Sequence, residues 1–344
     1  MNLHRDEIFH ESLSLANSNL QIRFIRCTFE GEVDFSGSTF TGESTMFIEC
    51  TFKGYTSFGG CRFSARTTLF SKCAFKGQTI FNKAVFEDTT IFEGSRDSLG
   101  GLVFEGETGF KYVTIRKARE FQFKHVTFEK VELRGTDLSE LRFVAVHWPH
   151  KRSKFSFRDN IVLYDQLLLE REGTNAPPQE FDLLQTAYRE LKQNYDNNRF
   201  FGPADDFYFR EMEMLRCYPG SLRTRYLSWR FLYRRVSGYG LYWLNGLLSL
   251  TFTILIFSAL ILFTGLDKPQ IDYDLARSFP SLLRLFFDYV EVLKYNLLST
   301  LPSKEISALY SPSICTRLIL IPEYILIAAF STLTVLAIRR RFKR

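Results

Sequence analysis

The sequence lacks the short motifs that mark most enzymes and metal sites. Its 344 residues contain no nucleophile elbow, phosphate-binding loop, zincin motif or dinucleotide fingerprint. The six cysteines include no CxxC pair, and the five histidines lie apart from any cluster of cysteines or carboxylates. We therefore expect no catalytic residues, no metal, no cofactor and no enzymatic activity.

Two further absences concern targeting and charge. The N-terminus opens with charged residues and lacks an apolar segment, so we expect no cleaved signal peptide and free thiols in a reducing compartment. Residues 1–150 hold 18 Lys and Arg against 19 Asp and Glu, whereas residues 151–344 hold 26 against 19. Because this positive excess flanks apolar segments, a membrane surface explains it better than nucleic acid does.

Phenylalanine, by contrast, is abundant, with 36 residues, and its spacing is regular in the first half of the chain. From Phe24 to Phe92 the steps run 5, 6, 5 and 7, a period of 23 residues. Neither a helix nor an ordinary strand has this spacing, whereas a coil with four short faces does. A smaller residue, such as Cys27 or Thr68, usually precedes each phenylalanine by two positions and shares its side of the extended chain. An aromatic ladder that binds a ligand is the alternative, but inward stacking favours a solenoid core: Phe29, Phe35, Phe40, Phe47, Phe52, Phe58, Phe63, Phe70, Phe75, Phe81 and Phe86.

Two stretches carry a family resemblance. Phe-Ile-Glu-Cys-Thr-Phe (47–52) and Phe-Ser-Lys-Cys-Ala-Phe (70–75) resemble the Phe-rich variant of the bacterial pentapeptide-repeat family. The resemblance implies a right-handed quadrilateral β-helix, a pentapeptide solenoid over residues 21–145 that follows an N-terminal segment of residues 1–20. Residues 94–103 break the period and predict a loop. A redox or metal ladder of stacked cysteines is conceivable, but small buried side chains are the better explanation.

A connector and a helical hairpin are predicted over residues 146–220. Apolar residues recur at steps of three and four from Phe181 to Tyr195, and a second stripe runs from Tyr208 to Leu215. Pro219-Gly220 then ends the pattern. A groove for a partner is an alternative use of these stripes, but two helices packed against each other explain them more simply.

Residues 221–344 form a predicted membrane module with two apolar segments, at about 241–266 and about 318–338. Each is long enough to cross a ~30 Å hydrocarbon layer as a helix. A buried helix of a soluble protein is the alternative, which two such segments with basic flanks disfavour. Lys and Arg are concentrated before the first segment and after the second, so we expect an inner (cytoplasmic) membrane protein with both termini cytoplasmic.

The segment between the two spans predicts an amphipathic or re-entrant helix at about 282–301. The order of span, short helix, polar turn and span resembles the two-helix, ion-channel-like domain attached to some bacterial pentapeptide-repeat membrane proteins. Tyr188-Arg-Glu-Leu-Lys and the terminal Arg-Arg-Arg-Phe-Lys-Arg are similar too. The sequence lacks the Thr-Val-Gly-Tyr-Gly filter of potassium channels, so the resemblance does not extend to potassium selectivity.

The first functional hypothesis is an oligomeric ion channel or pore in the lipid bilayer, with the solenoid as a cytoplasmic scaffold or sensor. Because two helices cannot enclose a pathway alone, this hypothesis requires a homo-oligomer. The polar residues between the spans could face lipid headgroups as well as a pore, and the sequence does not decide between these. The candidate pore-lining residues are Asp288, Glu291, Ser299, Thr300, Ser303, Glu305 and, inside the second span, Glu323.

The second hypothesis is a non-conducting, membrane-anchored scaffold whose solenoid binds a cytoplasmic protein partner. A third follows from the family resemblance, which includes DNA mimics that interact with gyrase. Those proteins are strongly acidic soluble dimers. A solenoid half with a net charge of −1 and an attached membrane module disfavour this hypothesis, and we do not expect a nucleic-acid partner.

Overall fold

The computed structural model describes residues 2–95, 104–152, 159–172, 177–217, 228–268, 282–300 and 310–342. The chain divides into two compact units, Met1–Pro219 and Gly220–Arg344. Each unit has its own apolar cluster, and the two are described in turn.

The first unit is a parallel β-solenoid with one sheet along each of four faces, as the sequence predicts. Its strands are numbered in chain order, and each pairs with the equivalent strand of the neighbouring coil. The first sheet contains β1 (Asn2–Arg5), β5 (Ile22–Ile25), β9 (Ser44–Ile48), β13 (Thr67–Ser71), β17 (Thr89–Glu93), β20 (Phe121–Lys124) and β22 (Arg142–Val144). The second contains β2 (Ile8–Phe9), β6 (Thr28–Phe29), β10 (Thr51–Phe52) and β14 (Ala74–Phe75).

The other two faces carry two-residue strands like those of the second sheet, and a 3₁₀ turn at Ala118–Glu120 directly precedes β20. The third sheet contains β3 (Leu13–Ser14), β7 (Val33–Asp34), β11 (Thr56–Ser57), β15 (Thr79–Ile80), β18 (Thr108–Gly109) and β21 (Val131–Glu132). The fourth contains β4 (Asn19–Leu20), β8 (Thr39–Phe40), β12 (Arg62–Phe63), β16 (Val85–Phe86) and β19 (Thr114–Ile115).

The phenylalanine columns form the core of this solenoid. In one column the ring centroids of Phe29, Phe52 and Phe75 follow each other at 4.7 Å with nearly parallel planes. That spacing equals the distance between hydrogen-bonded strands, so the backbone ladder sets the ring stack. The eleven predicted core phenylalanines, from Phe29 to Phe86, are all buried, and so are the smaller residues that precede them by two positions.

The solenoid begins earlier than residue 21, because strand β1 already pairs with β5 in the first sheet. The segment at residues 1–20 is therefore the first coil and not a separate N-terminal extension. The sequence conceals this coil because its offset to the next is 20 residues, as between Phe9 and Phe29, instead of 23. Leucines also replace phenylalanines there, with Leu20 opposite Phe40. The interruption predicted at 94–103 lies mostly outside the described residues, and the columns resume at Phe104.

Three helices cap the C-terminal end of the solenoid: α1 (Tyr164–Glu172), α2 (Pro178–Asn197) and α3 (Phe201–Cys217). Helices α2 and α3 are the packed hairpin that the apolar stripes predict. Ahead of them, the expected polar connector contains an antiparallel pair of strands, β23 (His150–Arg152) and β24 (Asp159–Ile161). Asn194 of α2 donates hydrogen bonds to the carbonyls of Leu138 and Leu141 in the last coil, at 2.9 and 2.7 Å. The helical cap thus provides hydrogen-bond donors for backbone carbonyls of the last coil.

In the described part of the second unit there are four helices: α4 (Trp229–Ser237), α5 (Trp243–Thr264), α6 (Leu282–Ser299) and α7 (Ile314–Phe342). Helix α5 packs against both α6 and α7. Helices α5 and α7 come so close that a Cβ added at Gly246 would lie 2.3 Å from Thr334 Oγ1. At the other end of α5, strands β25 (Leu266–Lys268) and β26 (Ser311–Pro312) form an antiparallel pair. Helix α4 was not predicted from the sequence.

Candidate functional site

Helices α5 and α7 are long and apolar enough to cross a membrane, over Trp243–Thr264 and Ile314–Arg339. In the most apolar 18-residue stretch of each helix, only 28% and 22% of the residues, respectively, are buried within the chain. Large apolar side chains such as Phe252 and Ile325 are exposed, which is unusual for a core helix of a soluble protein. Helix α4, with its arginines, contacts α7, whose last turn is also basic. The two basic regions therefore lie at the same end of the helix pair.

Two of the predicted pore-lining carboxylates lie on α6 and pair with cations of the same helix. Asp288 forms an ion pair with Arg284 at 3.8 Å. Glu291 accepts a hydrogen bond from Lys294 at 2.6 Å and another from the hydroxyl of Tyr310 at 3.2 Å. The bond from Lys294 lowers the pKa of Glu291, so this side chain is ionised at neutral pH. Both carboxylates are partly exposed.

The predicted polar turn after α6 is described only at its start. The hydroxyl of Ser299 donates to the carbonyl of Asn296 at 2.8 Å, and that of Thr300 donates to the carbonyl of Leu297 at 2.7 Å. These bonds return to the last turn of the same helix and cap its free carbonyls. The other two residues of this group, Ser303 and Glu305, lie outside the described residues.

Glu323 has a different environment from the other candidates, since it is fully buried between the helices. Its Oε1 accepts a hydrogen bond from Asn296 Nδ2 of α6 at 2.8 Å. The same amide nitrogen donates to Ser258 Oγ at 3.0 Å and lies 3.2 Å from the carbonyl of Ile254, both on α5. Glu323, Asn296 and Ser258 therefore join all three helices, and we call these three residues the polar triad.

The polar triad contains two buried oxygen atoms without a hydrogen-bond partner, Glu323 Oε2 and Asn296 Oδ1. Ser258 cannot supply the missing donor, because its hydroxyl proton goes to the carbonyl of Ile254 at 2.7 Å. Among the described residues, no Lys, Arg or His forms an ion pair with Glu323. Buried polar atoms without partners are rare in folded proteins and mark sites that need an explanation.

Sequence reasoning identified Glu323 but missed its partners. Asn296 falls within the predicted helix at about 282–301 but is not among the candidate residues, although it lies on the buried side of α6 beside Val292 and Tyr295. The available signal was its position four residues after the apolar Val292, which places both side chains on the same face of a helix. Ser258 gives no signal, because serine is common inside apolar helices, where its hydroxyl bonds to the preceding turn.

The solenoid cysteines lie on the inside of the coils with free thiols at Cys27, Cys50, Cys61 and Cys73. Three of them donate to the carbonyl of a phenylalanine in the preceding coil, with Cys61 Sγ 2.9 Å from Phe35 O. Burial raises the pKa of Cys61 to about 12 and that of Cys73 well above its ordinary value. The thiols of Cys61 and Cys73 are therefore protonated at neutral pH, and all four cysteines serve as small core residues. Among the described residues, no group of His, Cys, Asp and Glu could hold a metal ion.

Four parallel sheets wound around phenylalanine columns define the first unit as a parallel β-solenoid protein domain. Within this domain, residues 24–70 match the family model described as pentapeptide repeats (9 copies). The family resemblance found in the Phe-rich stretches is thereby confirmed. No curated protein and no solved structure matches the chain.

Proposed function

We propose that the chain forms an oligomeric ion channel or pore, with the pentapeptide solenoid as its cytoplasmic scaffold or sensor. The observation that supports this proposal is the polar triad, a carboxyl, an amide and a hydroxyl buried among helices that are otherwise apolar. A simple anchor does not require an ionisable group at such a position, whereas ionisable residues inside membrane segments commonly serve ion and proton pathways.

The pathway in this proposal lies between copies of the chain. Each chain has two candidate spans, which cannot surround a pore, so several subunits supply the wall. Helix α6 lies against α5 and carries Asp288 and Glu291, whose carboxylates are partly exposed. These carboxylates balance Arg284 and Lys294 of the same helix, so their removal would leave a positively charged pore mouth that repels cations.

The test is ion flux from liposomes that contain the purified full-length protein. We expect cation flux, and we expect Asp288→Ala/Glu291→Ala to lower the preference for cations over anions by several-fold at low salt. Glu11→Ala/Glu43→Ala is the matched control, because it removes two exposed carboxylates from the solenoid and should leave flux unchanged. Absence of flux from inserted, oligomeric protein would contradict the proposal.

The alternative is a membrane-anchored scaffold that conducts nothing. One observation favours it: the polar groups of the second unit bond largely to one another. Besides the triad, the hydroxyls of Thr264, Ser313 and Thr316 form a cluster with the carbonyls of Thr264 and Gly265. Such bonds hold helices together in a bilayer without any transport role. Absence of flux, together with a stable partner on the solenoid, would support this alternative.

A further inference from the structure

The polar triad contains more buried hydrogen-bond acceptors than donors, and the proposed function does not explain this excess. If Glu323 is ionised, its Oε2 and the Oδ1 of Asn296 are two buried acceptors without a donor. The charge itself also lacks a described cation partner. An unpaired buried carboxylate is strongly unfavourable, and a protein normally avoids it by binding a proton.

The orientation of the Asn296 amide is determined by its surroundings. Its Nδ2 lies within hydrogen-bond distance of three acceptors: Glu323 Oε1, Ser258 Oγ and the carbonyl of Ile254. Exchanging the nitrogen and the oxygen of this amide would place an acceptor against all three of these atoms. The oxygen Oδ1 is therefore the atom that lacks a partner, and it belongs to the same amide that already donates to Glu323.

We propose that Glu323 binds a proton on Oε2 and forms an acid–amide pair with Asn296. In this pair Asn296 Nδ2 donates to Glu323 Oε1, and the Oε2–H of Glu323 donates to Asn296 Oδ1. One proton taken from water thus removes the buried charge and satisfies both acceptors. The site is a proton-binding site at the contact of α5, α6 and α7, and it does not depend on whether the protein conducts ions.

A bound metal cation fits the same oxygens less well. Alkali and alkaline-earth cations are held by about six oxygen ligands, and the triad offers only two free ones. Among the described residues, Tyr295 of α6 interacts electrostatically with Glu323 and also with Arg317 and Tyr324 of α7, and α5 carries no titratable side chain. Loss of the proton would leave a charge between the three helices, so alkaline pH should loosen the contact between α6 and the other two.

The experiment is infrared spectroscopy of the full-length protein in liposomes, as a difference between wild type and Glu323→Gln. Glutamine supplies the same acceptor and a donor toward Asn296 Oδ1, so this variant should fold. At neutral pH we expect the wild type to show one additional carbonyl band of a protonated carboxylic acid, which disappears at alkaline pH. Glu291→Gln is the control and should remove only carboxylate bands, because Glu291 is ionised.

A second variant keeps the test valid if Glu323→Gln fails to fold. Asn296→Leu removes the amide partner, and we expect the carbonyl band of Glu323 to move to higher frequency because its hydrogen bond is lost. Carboxylate bands from Glu323 at neutral pH would overturn the proposal. Loss of the acid band on adding sodium or potassium at constant pH would also overturn it and would identify the triad as a cation site.

Discussion

At the scale of single residues, the solenoid is held by rings that each touch several others. Phe58 is fully buried and stacks between Phe35 and Phe81, with ring centroids at 5.1 and 4.8 Å. It also meets Phe47 and Phe70 edge-on at 5.7 and 5.6 Å. Because the strands on every side are fixed by backbone ladders, the coil cannot collapse around a missing ring.

We therefore expect Phe58→Ala to lower the free energy of unfolding of the first unit by about 3–5 kcal/mol. Urea titration of the full-length protein in detergent, followed by pulse proteolysis, measures this loss. Tyr55→Ala is the control on the same coil, because its ring is exposed, and its effect should stay below about 1 kcal/mol. Equal effects of the two substitutions would show that the stacked rings do not carry the stability of the coil.

The buried carboxyl of Asp165 accepts several hydrogen bonds and pairs with an arginine, whereas Glu323 has no described cation partner. It is completely buried where α1 meets the last coils, and it accepts from the backbone nitrogens of Leu133 and Arg134 and from Arg134 Nε at 2.9, 3.2 and 3.0 Å. Desolvation nevertheless outweighs these bonds and raises its pKa to about 6. A carboxyl with a raised pKa favours folding most at low pH, and this contribution is lost as the pH rises through the folded pKa.

From this pKa we predict the pH dependence of the Asp165→Asn variant. The stability advantage of the wild type over the variant should shrink by about 2 kcal/mol as the pH rises from about 4 to about 7. Urea titrations of both proteins across this range measure the difference, and other titrating groups cancel in the comparison. An advantage that grows with pH would show that the pKa of Asp165 is lowered and that the ion pair with Arg134 dominates.

At the scale of elements, one corner of the solenoid is a ladder of stacked glycines. A Cβ added at Gly54 would lie 2.6 Å from the carbonyl oxygen of Gly31, and one added at Gly77 would lie 2.2 Å from that of Gly54. Gly106 would meet the carbonyl of Gly77 in the same way, at 2.1 Å. The coils therefore approach each other at this corner more closely than any side chain permits.

We expect Gly77→Ala to destabilise the first unit by about 1–3 kcal/mol, because the backbone of two coils must move apart. Gly202→Ala is the matched control, since nothing lies within 4 Å of its added Cβ at the start of α3. Alanine has the higher helix propensity, so this change should be neutral or stabilising by up to about 1 kcal/mol. In thermal melts, the melting temperature should fall for Gly77→Ala and stay unchanged or rise for Gly202→Ala. An unchanged melting temperature for Gly77→Ala would show that the coils can accommodate a methyl group at this corner.

At the scale of the whole molecule, the two units differ in the surface they offer to water. In the first unit the large apolar side chains are mostly buried in the solenoid and its helical cap. In the second, leucines and phenylalanines of α5, α6 and α7 are exposed, including Leu248, Phe286 and Leu318. Lipid or further copies of the chain would cover such a surface.

This difference leads to a fractionation prediction. The full-length protein should remain with membranes after washing with high salt and alkaline carbonate, and only detergent should release it. The fragment 1–219 should appear in the soluble fraction, because it is a compact unit with its own core. Release of the full-length protein by carbonate alone would indicate that α5 and α7 do not cross the bilayer.

The sequence predicts regular features well and their irregular neighbours poorly. The 23-residue period locates the phenylalanine columns because every coil must fill the same interior space with large side chains. The first coil, with its 20-residue offset at Phe9, escapes detection because the same backbone coil tolerates a different loop length at its corners. Helix α4 also escapes, since its nine residues mix arginine and aromatic side chains and its helical state depends on contacts with α5 and α7.

The solenoid, the helical hairpin and the two apolar helices follow from the amino-acid sequence, because periodicity and hydropathy are visible in each coil or helix separately. Which polar residues meet depends on the packing of distant segments. Asn296, Ser258 and Glu323 are separated by 27 and 38 positions from one another along the chain, and no local pattern links them. Their meeting depends on how α5, α6 and α7 pack, and that packing leaves the carboxyl of Glu323 without an ion-pair partner among the described residues.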